Sequence, residues 1–387
     1  MKRLLFLFIT FHALSMYAQP SFLEQIERNN TVLSAFRKQL DAEKIANKTG
    51  IYPKNPEMEF HYLWGNQSVP GDRVDFSATQ TFDFPTAYYY RKKISDTQNR
   101  QVDLKYLIER KNILLEAQST YIRLIYQNAL SLKWEERLDQ ARQTVSAYQF
   151  KMDKGDASAL DLNKAKINLL NVQKEYDSSL AEEDFLRAEL NRLNGGIPLD
   201  LPLDFPSIWL PVDFEQWYRE QQEKNHLLQY LQQETALSRE NGKLQRSLNL
   251  PGFSVGYMSE KVSTEQFRGI TLGISIPLWE NKNKAKQIKA RTLAGEESES
   301  DARFRHYNEA KALYGKAVRL QKIVDEYRRS ELPDNTSDLL KKALNAGEIS
   351  LIDYLFEWDI YYEWISNRLE SERDLRLTAT ELMQWEL

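Results

Sequence analysis

The sequence predicts an α+β chain that is mostly helix, in which two copies of one plan each join a β-hairpin to a long coiled-coil helical hairpin. Three observations carry that reading. Gly155-Asp156-Ala157-Ser158-Ala159-Leu160-Asp161 returns 192 residues later as Gly347-Glu348-Ile349-Ser350-Leu351-Ile352-Asp353, and self-similarity at a fixed offset marks a duplication. Apolar residues alternate with polar or small ones in four short stretches, the period of a half-buried strand. Only 14 Gly and 12 Pro occur in 387 residues, and these are the residues that punctuate short elements.

At the start of the chain, Lys2 and Arg3 precede an apolar run from Leu4 to Leu14, followed by Ser15-Met16-Tyr17-Ala18. This is the layout of a secretory signal peptide cut after Ala18. The run is shorter than the roughly 20 residues that a membrane-spanning helix needs, which leaves an N-terminal anchor as the weaker alternative. The mature chain has no long uncharged apolar segment, so any membrane crossing must use strands. The expected layout is residues 1–18 signal peptide, 19–196 first repeat, 197–212 Pro-rich linker and 213–387 second repeat.

The first hairpin is expected from Met58, Phe60, Tyr62 and Trp64 and from Val74, Phe76, Ala78, Phe82 and Phe84, with Gly65–Asp72 as its turn. The second is expected from Phe253, Val255 and Tyr257 and from Ile270, Leu272, Ile274 and Ile276, with Ser259–Arg268 as a polar turn. Each strand has one apolar face and one small or polar face. Such strands fit a soluble two-sheet core, or a membrane barrel with lipid outside and water inside. Four strands are too few to close a barrel, since the smallest have about eight. A barrel therefore demands several copies of the chain.

The remainder reads as long helix. From Pro85 to Gly155 there is no further Pro or Gly, and the stretch 86–154 would span ~100 Å. Leu162, Ala165, Leu169, Val172, Tyr176, Leu186, Leu190 and Leu193 follow steps of three and four, interrupted at Ser179 and Glu183. Leu351, Leu355, Trp358, Tyr362, Ile365 and Leu369 do the same in the second half. This is a coiled-coil seam, and Trp358, Tyr361, Tyr362 and Trp364 read as its filling rather than as a ligand cage. Outgoing and returning paths match in length, so the strands lie at one end of a rod and the Gly-containing turns at the other. The segment 197–213 carries several prolines and cannot be helical throughout; it is placed as a belt around the rod.

Composition excludes much else. Lys+Arg number 52 against 56 Asp+Glu, which argues against nucleic acid as a partner. With no Cys there is no disulfide and no thiolate site, and His12, His61, His226 and His306 are too scattered for a metal centre. No nucleophile–base pair or phosphate loop is apparent, so neither an enzyme nor a cofactor is expected.

These features together resemble the TolC-like outer-membrane efflux channel family. The residues that carry the resemblance are the signal segment, Asn55-Pro56-Glu57-Met58-Glu59-Phe60 opening the first strand, Phe84-Pro85 closing the second, and the two Gly-x-x-Ser-x-x-Asp tips at Gly155 and Gly347. It covers about residues 20–387. The resemblance implies a homotrimer whose protomers each give four strands to one twelve-stranded barrel in outer-membrane lipid. It also implies an α-helical tunnel through the periplasm that meets a periplasmic adaptor protein and an inner-membrane pump. The function so implied is the exit duct of a tripartite efflux system. A periplasmic adaptor-type coiled-coil protein is the alternative, although adaptors carry one helical hairpin and this chain has two. Strand two, Ser77 to Thr86, is similar to the branch that serves heavy-metal cation exporters of the resistance-nodulation-division class; drug efflux stays open beside it.

In that family acidic rings near the tips form the periplasmic gate. The resemblance places Asp353 and Asp161 at the first such position of each half. The second position holds Phe356, with Glu348 and Glu357 as the nearest acids. Read from the residues alone, Ser158 and Asp161, like Ser350 and Asp353, also have the spacing of a helix capping box. Gly155 and Gly347 sit where the chain must turn tightly. Pro85 and Pro277 mark strand ends, and Tyr88, Tyr89 and Tyr90 next to Arg91 fit either an interfacial aromatic girdle or a solvated helix start.

Overall fold

A computed structural model describes residues 21–65, 71–263, 265–330 and 336–387; the expected signal segment 1–18 lies outside them. The first helices are α1 (Phe22–Asn29) and α2 (Thr31–Ala46), separated by the single residue Asn30. The Asn30 side chain accepts from the Leu33 amide, which caps α2. In the second half Asn225 stands between α5 (Phe214–Lys224) and α6 (His226–Ser247) and accepts from the Leu227 and Leu228 amides. Both asparagines are almost fully buried. The two helix breaks are therefore capped in the same way.

Four strands follow from these helices: β1 (Glu57–Leu63), β2 (Arg73–Phe82), β3 (Gly252–Val262) and β4 (Glu265–Ser275). They form one antiparallel sheet in the order β1-β2-β3-β4. The second turn departs from expectation. Pairing runs on through Ser259↔Arg268 and Lys261↔Gln266 to Val262↔Glu265, so most of the expected ten-residue loop is strand. The polar residues misled because a strand end that leaves an apolar environment needs no apolar face, while its backbone pairing can continue.

β2 passes into α3 (Pro85–Asp153), which is 69 residues long, with Phe84 at the N-cap and Pro85 in the first turn. There the missing N–H of proline costs nothing and its fixed φ suits the helix. The second half differs. Pro277 lies beyond the end of β4, and α7 (Lys284–Arg329) begins only after Asn283, at φ 67. α7 runs through Gly295 and Gly315 without a break. The chain returns through α4 (Ala159–Leu193), α5 and α6 in the first half, and through α8 (Thr336–Ala346) and α9 (Leu351–Leu382) in the second. Beneath the four strands α2, α3, α6 and α7 stand side by side in the same order, α3 against both α2 and α6, and α6 against α7. Farther from the sheet α3 packs along α4, and α9 lies against both α3 and α7.

The seam of the α3–α4 pair is apolar at Leu138, Ala141, Val172, Leu186 and Leu190. The interruption noted in the sequence is a buried polar layer. Gln127 Nε2 donates to the Ser179 carbonyl and hydroxyl at 3.1 and 2.6 Å. Ser131 Oγ and Asn128 Nδ2 donate to the Glu183 carboxylate at 2.9 and 3.2 Å, and Arg187 pairs with it at 2.7 Å. Burial pushes the Glu183 carboxyl upward, but the Arg187, Ser131 and Asn128 hydrogen bonds together outweigh it and hold the group below its usual range. A depressed carboxylate stabilises the fold above its unfolded value, about pH 4.3, and loses that contribution as pH falls through the lower folded value. Glu183→Gln is therefore expected to cost on the order of 1 kcal/mol at pH 7. In urea titrations the two proteins should converge as pH drops below about 4; a difference independent of pH would contradict this account. A polar layer inside an apolar seam also fixes its register.

The segment 197–213 is extended and packs across α3 and α4. Leu199, Leu201, Leu203 and Phe205 cover Tyr121, Leu124, Ile125, Leu186 and Leu190, and the Tyr121 hydroxyl donates to the Pro202 carbonyl at 2.5 Å. Its other end is held by α9. The buried Arg376 guanidinium lies 4.4 Å from the Phe205 ring, donates to the Pro206 carbonyl at 3.1 Å and pairs with Glu372, which also binds Arg328 of α7 at 2.9 Å. The segment thus ties α3 and α4 to α9 and, through Glu372, to α7.

Candidate functional site

Two places concentrate the features on which function would depend: the sheet and the hairpin tips. The pairing register sorts the sheet's side chains into two faces. Met58, Phe60 and Tyr62 of β1 lie level with Ala78, Phe76 and Val74 of β2. Ala78, Gln80 and Phe82 lie level with Tyr257, Val255 and Phe253, which meet Ile270, Leu272 and Ile274. The opposite face carries Glu59, His61, Asp75, Ser77, Thr79, Ser254, Gly256, Thr271 and Gly273, with Met258 and Phe267 among its apolar members toward the β3–β4 turn. The small residues are sterically required there: a Cβ at Gly256 would fall 2.8 Å from the Ala78 carbonyl oxygen.

Among the described residues nothing covers the apolar face. Ile270 and Leu272 are each 79% exposed, and the outer sides of β1 and β4 have no strand partner among the described residues. Long, flat, apolar edges of this kind pair with other chains unless something blunts them. The helical wall beneath repeats the pattern, with Val32 and Ile45 of α2 and Leu293 and Phe304 of α7 exposed on its two outer members. In that wall α3, α6 and α7 flank a groove of about 690 Å³ lined by polar side chains that include Gln98, Glu234, Asn241 and Arg291. Among the described residues no helix is long and apolar enough to cross a membrane.

Where the sheet meets the helices, Tyr89 is exposed. Tyr88 instead accepts from the Asp83 amide at 2.9 Å and lies under the Arg91 guanidinium, while Tyr90 packs edge-on against Tyr89. Sequence reading missed a second aromatic there: beyond Pro277, Leu278 and Trp279 project from the chain, Trp279 being 79% exposed. The signal was the dipeptide Leu-Trp in a segment otherwise ending a strand.

The two tips have one construction. Gly155 and Gly347 adopt φ 82 and 75. Asp156 N–H donates to the Lys151 carbonyl at 2.8 Å and Glu348 N–H to the Ala343 carbonyl at 2.9 Å, the long bond of a Schellman motif. After the turn, Ser158 accepts from the Asp161 amide at 3.1 Å and Ser350 from the Asp353 amide at 3.2 Å. Each serine hydroxyl donates back to the aspartate carboxylate at 2.6 Å, and Asp353 also accepts from the Ser350 amide at 3.2 Å. The Ser158 and Ser350 hydroxyls hold Asp161 and Asp353 below the ordinary carboxylate range, so both are charged at neutral pH. Asp161 faces Lys164 at 3.5 Å, whereas Asp353 has no cation within pairing distance among the described residues. Glu348, Phe356 and Glu357 are exposed beside it. A Cβ at Gly155 or Gly347 would meet nothing within 4 Å. Gly155→Ala and Gly347→Ala are therefore expected to cost about 1–2 kcal/mol each through the left-handed backbone alone, readable as a shift in thermal midpoint.

The sheet thus has one mainly apolar and one mainly polar face, has no strand partner at either edge among the described residues, and is mounted on a row of packed helices. At the level of sequence, no family profile and no curated protein matches the chain. Its fold is nevertheless that of solved outer-membrane channels. It superposes on the outer-membrane channel OprN with a TM-score of 0.76 at 14% identity, covering 94% of this chain and 88% of that one. For the outer membrane protein VceC from Vibrio cholerae the values are 0.72, 12%, 94% and 93%, and for the Campylobacter jejuni outer membrane channel CmeC 0.69, 13%, 94% and 83%. The chain thus has the TolC-like fold that its sequence resemblance implied.

Proposed function

We propose that this chain is the outer-membrane exit duct of a tripartite efflux system, passing substrate received through a periplasmic adaptor from an inner-membrane pump. The observation that carries the reading is the four-stranded sheet, whose apolar face is uncovered and whose two edges are unpaired among the described residues. In the duct, three copies would close twelve strands into a barrel in outer-membrane lipid, and the helices would form the periplasmic tunnel. Such a chain provides passage rather than catalysis, with constrictions setting selectivity. The first experiment is mass and conductance in detergent and planar bilayers: a three-fold, detergent-dependent, conducting particle supports the reading, and a soluble monomer sinks it.

Asp353 is proposed to line the gate, with Asp161, Glu348 and Glu357 as further acids at the tips. That no cation pairs with Asp353 among the described residues, while Lys164 pairs with Asp161, favours Asp353. Asp353→Asn keeps most of the capping geometry while removing the charge, so a change in cation block or conductance without loss of stability would assign it to the pore. Unchanged conductance would leave it a helix cap. For cargo, deleting the gene and comparing growth on divalent metals, dyes and antibiotics separates the two branches. Sensitivity confined to metals supports a heavy-metal exporter, and sensitivity to amphiphilic drugs a multidrug pump.

A further inference from the structure

Charges on the sheet are treated differently on its two faces. On the polar face, Arg73 is matched twice, by Asp75 at 2.9 Å and by Glu260 at 3.2 Å. On the apolar face, the rows Phe253-Val255-Tyr257 and Ile274-Leu272-Ile270 end, toward the hairpin turn, in Ser259 and Lys261 on β3 and in Arg268 and Gln266 on β4. Lys261 and Arg268 are both exposed. Among the described residues Arg268 donates to the neutral Gln266 amide oxygen, at 2.6 Å, and Gln266 passes the chain of bonds to Ser259. Neither cation has a carboxylate within pairing distance among the described residues: Glu260 and Glu265 occupy positions of the opposite face, and Asp72, just before β2, accepts from the Tyr62 hydroxyl and the Gly65 amide instead. Lys261 is paired with Gln266, two residues from Arg268, so the two cations are diagonal neighbours about 7–8 Å apart at the backbone. Unrelieved, they repel.

We infer that Lys261 and Arg268 bind the phosphate groups of lipid headgroups at the turn end of the sheet's apolar face. This rests on the reading of the sheet as part of a membrane barrel. If that face is immersed in hydrocarbon, the two cations stand immediately beyond the apolar band, at headgroup depth, where long cationic side chains reach phosphates. An anion between them relieves their repulsion and supplies the partner that the sheet itself gives to Arg73 and denies to them. Uncharged residues would serve as well if the position merely had to be wet.

The test uses the purified assembly in neutral detergent, titrated with bis-phosphorylated lipid A, with its dephosphorylated form and with inorganic phosphate, reading bound lipid by native mass spectrometry. Wild-type protein should retain the phosphorylated lipid selectively, and the Lys261→Gln/Arg268→Gln double variant should bind it about ten-fold or more weakly. Arg73→Gln, on the opposite face, should retain it as wild type does. Equal retention by the double variant, equal retention of the dephosphorylated lipid, or competition by inorganic phosphate at similar concentration would overturn the inference. Conductance of the same preparations separates the two failures. A conducting assembly without phosphate selectivity removes only the lipid site, whereas a chain that forms no detergent-dependent assembly removes the barrel reading itself.

Discussion

Leu272→Arg is expected to prevent assembly of the proposed barrel while leaving the helices folded. Leu272 lies in the middle of the outward row, paired with Val255 and flanked by Ile270 and Ile274, and is 79% exposed in the single chain. On the lipid face of a barrel, arginine near the bilayer midplane costs about 2–4 kcal/mol, and ring closure repeats that cost in every copy. If the same face looked into water, the substitution would be near neutral and would improve solubility, since surface changes away from packed features usually fall within about 0.5 kcal/mol. Thr271→Lys provides the control: its position faces the polar side, level with Gly256, where a cation can stay hydrated. Recovery of detergent-stable oligomer from membranes should collapse for Leu272→Arg and persist for Thr271→Lys. Equal recovery of both would remove the case that the apolar face meets lipid.

Much of this architecture was legible because it rests on local rules. The strand faces, the tip glycines, the Ser-to-Asp caps and the Phe84-Pro85 helix start are each decided by residues within a few positions of one another. What was not legible depended on partners distant in sequence. Ser179 and Glu183 read as a gap in an apolar seam, and only the positions of Gln127, Asn128 and Ser131, some fifty residues away, make that gap a satisfied polar layer. The β3–β4 turn was drawn too long because Ser259–Arg268 is polar, yet backbone pairing does not require apolar side chains. Pro277 was read by analogy with Pro85, but the two repeats diverge there: Leu278 and Trp279 are exposed where the first half has Thr86 and the buried Ala87. At the tips, the Ser-to-Asp spacing is enough to read the caps. Whether those acids also meet a pore is a property of the assembly, which no single-chain pattern encodes.

The tips also hang on packing, and Trp358→Ala is expected to cost about 3–5 kcal/mol, the range for truncating a buried large aromatic. Trp358 is 4% exposed in the largest apolar cluster of the rod, with Tyr148 of α3, Leu162 and Ala165 of α4, and Tyr354 and Tyr362 of its own helix. It stands on α9 little more than one turn beyond Asp353, so it anchors the tip of the second repeat to the hairpin of the first. Trp134 of α3 stacks on Tyr362 at 6.0 Å with an interplanar angle of 6°, and Arg137 lies 4.8 Å from the same ring while pairing with Asp359. The neighbouring turn is therefore held independently, and the loss of Trp358 should loosen the tip before it unfolds the rod. The indole Nε1 has no hydrogen-bond partner among the described residues, and a buried donor left unsatisfied carries a penalty of about 1–3 kcal/mol. Trp358→Phe removes that donor while keeping a ring in the space, so it should cost less than about 1.5 kcal/mol. Urea midpoints for the two variants separate packing from polarity. A phenylalanine variant as damaged as the alanine one would mean that the indole makes an interaction on which α9 depends. In bilayers the alanine variant should also open more readily if packing at Trp358 is what keeps the Asp353 turn in place, and unaltered conductance would place the gate's restraint elsewhere.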